Sequence, residues 1–314
     1  MSSSSLAKRI IEYFTRPPQL QSAFYISTRY IAGIHLSPKD KQVSHYFVLP
    51  LEEGVVVPSF TKKNIYDNPS LEDRLREGME KLRLSDKKTA CLIPELCLKA
   101  FVFSFDSLPS SAEEREKIIR YRIKKQMGFF PEDSRLSFQE IDSSQERRLL
   151  VCLAKDSVIH EYEDCLGRLG LKVRILGSPV LGLYNVLNSQ ERENFLLINV
   201  EKESLSLVAV IESEISLYRQ KPNVLERKAE LTIAQQVENI ITEVQNTAHF
   251  LEDTEEKKIQ SLYLRLGSLR AEEKMYSELE NRLPFALNRI NVVRLEKLNP
   301  REREILAPLI GQIL

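Results

Sequence analysis

The sequence predicts an α/β fold built from two related domains, and two segments carry that prediction. An apolar strand, a tight turn and a second apolar strand open each half of the 314-residue chain, at residues 24–34 and 195–210. Apolar positions three and four residues apart then indicate helices, most clearly at residues 231–251. A chain of this length is expected to form about two domains.

The paired strand–turn–strand units are typical of a duplicated nucleotide clamp of the actin-like (ribonuclease H-like) type. In such a clamp each turn carries an acid and a glycine, which hold Mg²⁺ and let the backbone approach the phosphates. A small α+β module is predicted within the first domain, at about residues 90–170. Its expected order is strand, strand, helix, strand, strand, helix, beginning with a strand at Thr89–Pro94.

The predicted domain boundaries divide the chain into residues 1–20, 21–190 and 191–314. The first of these is an amphipathic helix, which Pro17-Pro18 ends. Four apolar residues share one face of it: Leu6, Ile10, Ile11 and Phe14. Two alternatives are open, since residues 6–16 either pack on their own domain or contact a membrane or partner.

Composition excludes several classes of protein. Lys plus Arg and Asp plus Glu both number 45, so no overall field attracts nucleic acid or an anionic bilayer. The sequence contains no apolar run of the roughly 18 residues needed to span a membrane, and no secretory signal is visible. The four cysteines lack the spacing of a zinc or redox site and are interpreted as buried structural residues in a reducing cytoplasm: Cys91, Cys97, Cys152 and Cys165.

Several short motifs follow one another in a particular order and spacing. They are the strands of residues 24–49, Val48-Leu49-Pro50-Leu51, Phe105-Asp106-Ser107-Leu108-Pro109 with the helix after it, Phe129-Phe130-Pro131-Glu132, and Leu306-Ala307-Pro308-Leu309-Ile310-Gly311. Together these motifs resemble the PilM family of type IV pilus assembly proteins. That family belongs to the actin-like superfamily, which also holds the division protein FtsA and, as a close cousin, the cytoplasmic part of GspL.

The resemblance implies a cytoplasmic protein, peripheral to the inner membrane, that holds ATP between two domains. It also implies a partner, a PilN-like inner-membrane protein whose cytosolic N-terminal peptide lies in a groove between the first domain and the module. We expect that groove near Phe129, Phe130 and Pro131. An exposed strand edge in the module offers a place for an extended peptide to add as a further strand.

The chain departs from the family at the nucleotide positions. In the first turn Tyr25 stands in place of the Asp and Ser27 in place of the Gly, although Ser27 and Thr28 still offer hydroxyls and backbone N–H groups to an anion. In the second turn Asn199 replaces the Asp and Glu201 replaces the Gly. A carboxylate about 4 Å from a phosphate costs roughly 4 kcal/mol at an effective dielectric near 20.

The third glycine-rich element is also reduced, since Gly267 alone survives of its glycine run and Ser268 follows it. We therefore predict a non-enzymatic scaffold without catalytic residues, metal ligands or cofactor; ATP and magnesium are expected only if the cleft still functions. The alternative is an active ATPase or sugar-kinase-like phosphotransferase that uses Asp106, Glu238 or Glu243. A filament former is a third possibility.

A basic stripe runs along the predicted helix from Arg115 to Lys125. Tyr121 is the one aromatic residue within it, so a solvated helix face is favoured over a nucleic-acid site. An acidic partner or lipid head groups are the other interpretations of this stripe.

Overall fold

The structure is a computed structural model that describes residues 20–84, 86–141, 147–188, 194–223, 232–267 and 272–313. The predicted N-terminal helix and Ser268 lie outside these residues. No helix in the described part has an apolar stretch long enough to cross a membrane.

The first domain is built on a five-stranded sheet with the order β3-β2-β1-β4-β8. Its strands are β1 (Ser22–Ile26), β2 (Tyr30–Leu36), β3 (Val43–Pro50), β4 (Lys88–Leu92) and β8 (Lys172–Gly177). The first three form an antiparallel meander, whereas β4 and β8 add in parallel. The helices are α1 (Asn68–Leu82), α3 (Asp156–Arg168) and α4 (Pro179–Asn188).

The second domain repeats this topology with the order β11-β10-β9-β12-β13. Its strands are β9 (Phe195–Val200), β10 (Ser204–Ile211), β11 (Glu214–Pro222), β12 (Ser261–Leu266) and β13 (Ala286–Arg289), and its helices are α5 (Ile233–Glu255), α6 (Glu272–Arg282) and α7 (Pro300–Gln312). Again three antiparallel strands precede two parallel ones. The duplication predicted from the two strand–turn–strand units is therefore present in both sheets.

The central strands are buried on both faces, which explains their nearly continuous apolar sequences. The last helix, α7, packs mainly against α4 and the first sheet, although it follows the second sheet in the sequence. The crossing is close because small residues meet there. A Cβ atom built on Gly311 would lie 1.7 Å from the carbonyl oxygen of Gly182, so both helices need glycine at the contact.

The inserted module consists of β5 (Leu98–Phe105), α2 (Ala112–Met127), β6 (Ser134–Ile141) and β7 (Arg147–Lys155), with the sheet order β5-β7-β6. Alternate residues of β5 (Phe101, Phe103 and Phe105) pack with Ile119 and Ile123 of α2. Phe60, from the loop after β3, joins this small core and fastens the module to the first domain.

Two predicted strands are corrected by the structure. The strand expected at Thr89–Pro94 as the start of the module is β4, which pairs with β1 and β8 in the first sheet because Ala90, Cys91 and Leu92 are fully buried there. The sequence also predicts a last strand at Ile290–Arg294, whereas the observed strand, β13, ends at Arg289. Beyond it the apolar residues Ile290, Val292 and Leu295 join the core cluster that extends from the first sheet to one face of the second.

Candidate functional site

The candidate site lies where the two sheets meet, between the β1–β2 turn and the β9–β10 turn. In the first turn the Ser27 hydroxyl accepts hydrogen bonds from the backbone N–H groups of Arg29 and Tyr30, both at 3.2 Å. The Ser27 N–H donates to the Tyr30 carbonyl. These groups, which the sequence suggested as donors to an anion, therefore stabilise the turn itself.

The second turn is held in the same way by its own chain. The Glu201 N–H donates to the Ser204 carbonyl at 2.9 Å, and Asn223 Nδ2 donates to the Glu201 carbonyl at 3.0 Å. Asn199 and Glu201 are both buried. Their side chains therefore face the interior of the cleft and not solvent.

Arg265, on β12, occupies the centre of the site and is the largest fully buried side chain in the described part of the chain. Its Nη1 atom forms an ion pair with Glu201 Oε1 at 2.5 Å and donates to Asn199 Oδ1 at 2.7 Å. Its Nη2 atom donates to the Tyr30 hydroxyl at 3.0 Å. One guanidinium thus joins residues of both turns.

Further contacts cross the domain boundary directly. The Tyr25 hydroxyl donates to Glu201 Oε1 at 3.0 Å, and the Thr28 hydroxyl donates to Glu203 Oε1 at 2.5 Å. At the rim, Glu53 pairs with Arg29 of the first turn at 3.2 Å and with Lys202 of the second at 3.1 Å. The two turns are therefore bonded to each other through side chains, and we call the buried set Tyr25, Tyr30, Asn199, Glu201 and Arg265 the cleft cluster.

Gly267 lies directly against this cluster. A Cβ atom built on Gly267 would meet the Glu201 carboxylate at 2.5–2.6 Å, so the carboxylate fills the space beside this glycine. The retained glycine is needed here because it accommodates a side chain of the same protein.

Burial controls the protonation of the cluster. Loss of solvent, followed by the charge of Glu201, raises the pKa of Tyr25 well above its usual value, so its hydroxyl remains a donor. Burial alone would lower the pKa of Arg265, but Tyr30, Glu201 and Tyr25 outweigh it and the net pKa is raised. The site thus contains a permanent guanidinium that neutralises the Glu201 carboxylate.

This neutralisation changes the sequence interpretation of Glu201. The expected repulsion of roughly 4 kcal/mol assumed an unpaired carboxylate. Paired with Arg265, Glu201 acts mainly by filling the space beside Gly267 and by accepting the hydrogen bond that Arg265 would otherwise offer to a phosphate. Sequence reasoning did not identify Arg265; the available signal was a charged residue inside the otherwise apolar stretch of residues 262–266.

A second polar contact joins the domains at Glu95, in the short helical turn before β5. Its carboxylate accepts from the Val180 N–H at 2.7 Å and from the Tyr218 hydroxyl at 2.9 Å, and Gln220 Nε2 donates to its backbone carbonyl. Burial raises the pKa of Glu95 to about 7. The first domain thus contacts β11 of the second through a buried acid.

The module residues predicted to bind a partner differ in accessibility. Phe129 is 49% exposed, whereas Phe130 packs on the module core beneath the guanidinium of Arg120, 4.5 Å from the ring centre. The Pro131 carbonyl accepts from the Ser134 hydroxyl at the start of β6. Among the described residues β6 pairs with β7 alone, so its other edge has no strand partner there.

The structure does not bring together the three acids suggested for an active ATPase. Asp106 is exposed at the end of β5, Glu238 pairs with Arg282 at 2.6 Å, and Glu243 is bonded to Lys221. Among the described residues, no three His, Cys, Asp or Glu side chains are grouped in a way that would hold a metal ion.

Comparison with solved structures identifies the fold as that of the actin-like ATPases, as predicted. A chain of the PilM–PilN type IV pilus biogenesis complex is similar over 94% of this chain and 98% of its own, with a TM-score of 0.76 and 16% identity. A Bacteroides thetaiotaomicron protein with an actin-like ATPase fold and unknown function gives a TM-score of 0.54 at 12% identity, covering 90% of this chain and 96% of that one.

The cytoplasmic domain of EpsL, an inner-membrane component of the Vibrio cholerae type II secretion system, is also similar. Its TM-score is 0.52 at 11% identity, and the match covers 91% of this chain and 94% of that one. No protein-family model and no curated protein sequence matches the chain.

Proposed function

We propose that this protein is a non-enzymatic scaffold whose two actin-like domains are held together by its own side chains in place of a nucleotide. The ion pair between Arg265 and Glu201, with Tyr25 and Tyr30 bonded to it from the other domain, is the observation that carries the proposal. A bound nucleotide would otherwise link the two turns. Here the cleft cluster makes that link.

The residues present do not fit Mg-ATP. A phosphate between the turns would compete with the Glu201 carboxylate for Arg265 and for the space beside Gly267. Tyr25 stays neutral because its pKa is raised, and neutral groups do not balance the charge of Mg²⁺. Binding would therefore require the buried ion pair to be broken, which typically costs several kcal/mol.

Isothermal titration calorimetry with Mg-ATP tests this part of the proposal. We expect no binding at micromolar protein concentration for the wild-type chain, and no phosphate release. Glu243→Gln should then make no difference, because Glu243 is held by Lys221 and has no substrate to act on. Micromolar Mg-ATP binding by the wild-type chain, or phosphate release that Glu243→Gln abolishes, would contradict it.

The partner in this proposal is the cytosolic tail of a PilN-like inner-membrane protein, in a type IV pilus or related secretion machine. Similarity to a chain of the PilM–PilN complex and to the EpsL cytoplasmic domain supports this choice. The protein would then be cytoplasmic and peripheral to the inner membrane. A scaffold of this kind needs a stable shape, which a permanently bonded cleft provides.

Within the module, the free edge of β6 is our proposed site for the tail. An extended peptide there would gain main-chain hydrogen bonds from the edge of β6 that faces away from β7, which no described strand occupies. Phe130 and Pro131 lie just before this strand, and Leu136 and Phe138 on it are half-buried against the same module core as Phe130, so apolar peptide side chains would find apolar neighbours.

Site-specific photo-crosslinking in the native host tests the partner and its place together. A photoreactive amino acid at Ser137 or Gln139, both exposed on β6, is expected to capture one inner-membrane polypeptide. The matched control is Ala286, which is exposed on the edge strand β13 of the other domain. Capture at Ala286 but not at Ser137 or Gln139 would contradict the proposed site on β6 and indicate that the tail binds the second domain. Capture of no pilus or secretion component at any position would contradict the proposed partner.

A further inference from the structure

An exposed surface at the end of α2 combines aromatic and basic residues. Tyr121 and Phe129 are 68% and 49% exposed, among few large apolar side chains of the described residues that face solvent. Tyr121, Lys124 and Lys125 share one face of α2 by their spacing. The helix ends at Met127, and Gly128, with a φ of 79°, turns the chain there. Phe129 follows Gly128 at this end of the helix. We call Tyr121, Lys124, Lys125 and Phe129 the α2 surface.

The positive charge here is concentrated and only partly neutralised. The segment 117–131 contains five basic residues and no acid, in a chain whose charges balance overall, and acids return at Glu132 and Asp133. Three of the basic residues have partners: Lys117 with Glu113, Arg120 with Glu116, and Arg122 with the Ser104 carbonyl and the Phe105 ring. Lys124 and Lys125 are exposed and form no ion pair with any described residue.

Structural roles account for part of this pattern. Lysines in the last turn of a helix, such as Lys124 and Lys125, interact favourably with the helix dipole. The dipole gives no reason for two exposed aromatic rings beside them. Phe129 in particular remains outside the module core that its neighbour Phe130 joins.

We propose that the α2 surface docks on a bilayer that contains anionic lipids. Aromatic side chains at the interface and lysines that reach the head groups are the two contributions that interfacial segments combine. Charge complementarity selects an anionic surface. The side chains of Tyr121 and Phe129 project into solvent, which suits a planar surface better than a peptide that needs a groove.

Vesicle flotation with the full chain tests the role of charge. The wild-type chain is expected to bind vesicles containing phosphatidylglycerol and to bind pure phosphatidylcholine vesicles much more weakly. Lys124→Gln with Lys125→Gln should weaken the first by about thirty-fold, since each lysine near an anionic surface contributes about 1 kcal/mol. The matched control is Lys62→Gln with Lys63→Gln, an exposed lysine pair beside the exposed Tyr66, which should bind as the wild type does.

A fluorescence experiment tests the role of the aromatic residues. The chain contains no tryptophan, so Phe129→Trp introduces a single reporter at an exposed position. Its emission should shift to shorter wavelength when phosphatidylglycerol vesicles are added. Tyr66→Trp is the control, because Tyr66 is similarly exposed on a loop of the first domain, and its emission should not shift.

Four outcomes would overturn the proposal: no binding to anionic vesicles, equal binding to zwitterionic ones, unchanged binding after loss of Lys124 and Lys125, or no emission shift in the Phe129→Trp chain. If the lysine pair instead governs binding to soluble poly-glutamate and not to vesicles, the surface recognises an acidic polypeptide and the lipid proposal is wrong. The crosslinks expected at Ser137 and Gln139 are unaffected by any of these results, so the tail and lipid proposals fail separately.

Discussion

Arg265 and Glu304 are joined by a hydrogen bond that depends on a proline. Arg265 Nε donates to the backbone carbonyl oxygen of Glu304 at 2.6 Å. Four residues later within α7 stands Pro308, which has no N–H to give that carbonyl. The arginine supplies the donor that the helix lacks, and the helix carbonyl accepts from the Nε–H group of a buried guanidinium.

This relationship connects two features that were separate in the sequence. Ala307-Pro308 belongs to one of the motifs that resemble the PilM family, and Gly267 belongs to the reduced third glycine-rich element. In the structure α7 lies against the cleft cluster, where the Tyr276 hydroxyl also donates to Glu304 Oε1 at 3.2 Å. The closing helix of the chain is therefore part of the support of the cleft.

Arg265→Met is expected to destabilise the protein strongly. The change leaves the Glu201 carboxylate buried without its cation, and removing one partner of a buried ion pair costs roughly 3–5 kcal/mol. The urea unfolding midpoint measures the effect. The double variant Arg265→Met with Glu201→Gln should recover part of the loss because it removes the buried charge. A double variant as unstable as the sum of the two single changes would show that the residues are not coupled.

Gly311→Ala should destabilise the crossing of α4 and α7. Its Cβ would overlap the Gly182 carbonyl, so the helices must separate, and we expect a loss of about 2 kcal/mol or more. Gly167→Ala, within α3, is the matched control because a Cβ there meets no atom within 4 Å. That change should be neutral or stabilise the protein by up to about 1 kcal/mol. Equal effects in thermal unfolding would contradict the close packing.

The two sheets were predictable because buried strands and amphipathic helices leave strong local patterns. Most predicted elements match the observed ones, as β1, β2 and α2 illustrate. The error at β13 arose because Ile290 and Val292 are apolar for another reason: they lie in the core cluster that the first sheet shares with one face of the second. Apolar alternation does not tell which neighbour a residue packs against.

The cleft was predictable only as a set of missing ligands. Tyr25, Asn199 and Glu201 were recognised as departures, but their mutual bonding depends on residues about 175 positions apart, as for Tyr25 and Glu201. Arg265 was not identified because single-chain patterns do not show that a strand charge has a buried partner. Its location between both turns depends on the three-dimensional fold and not on the local sequence.

The four thiols should be unreactive in the folded protein. Burial raises the pKa of Cys97, Cys152 and Cys165 to about 12 and that of Cys91 further still, and the thiolate is the reactive form. Ellman's reagent at about pH 8 is expected to react slowly with the native chain and with all four thiols after unfolding in guanidinium chloride. Rapid reaction of Cys97, which donates to Asn64 Oδ1 in the interior, would contradict this structure of the first domain.

Glu95 should make the stability of the protein depend on pH. Burial raises its pKa in the folded protein to about 7, against about 4.3 for an exposed glutamate, so the folded state binds the proton more tightly. The contribution of this group to stability is therefore fully present below about pH 4 and is lost as the pH rises through about 7. Glu95→Gln removes this titration while keeping an acceptor for the Val180 N–H. Between about pH 5 and pH 8, the unfolding free energy of the wild type should fall relative to that of Glu95→Gln by at most roughly 3 kcal/mol.

Glu80→Gln, an exposed position on α1, is the control and should follow the wild type. Parallel curves for the wild type and Glu95→Gln would show that Glu95 does not titrate in this range, and that its contacts with Val180 and Tyr218 hold a permanent charge.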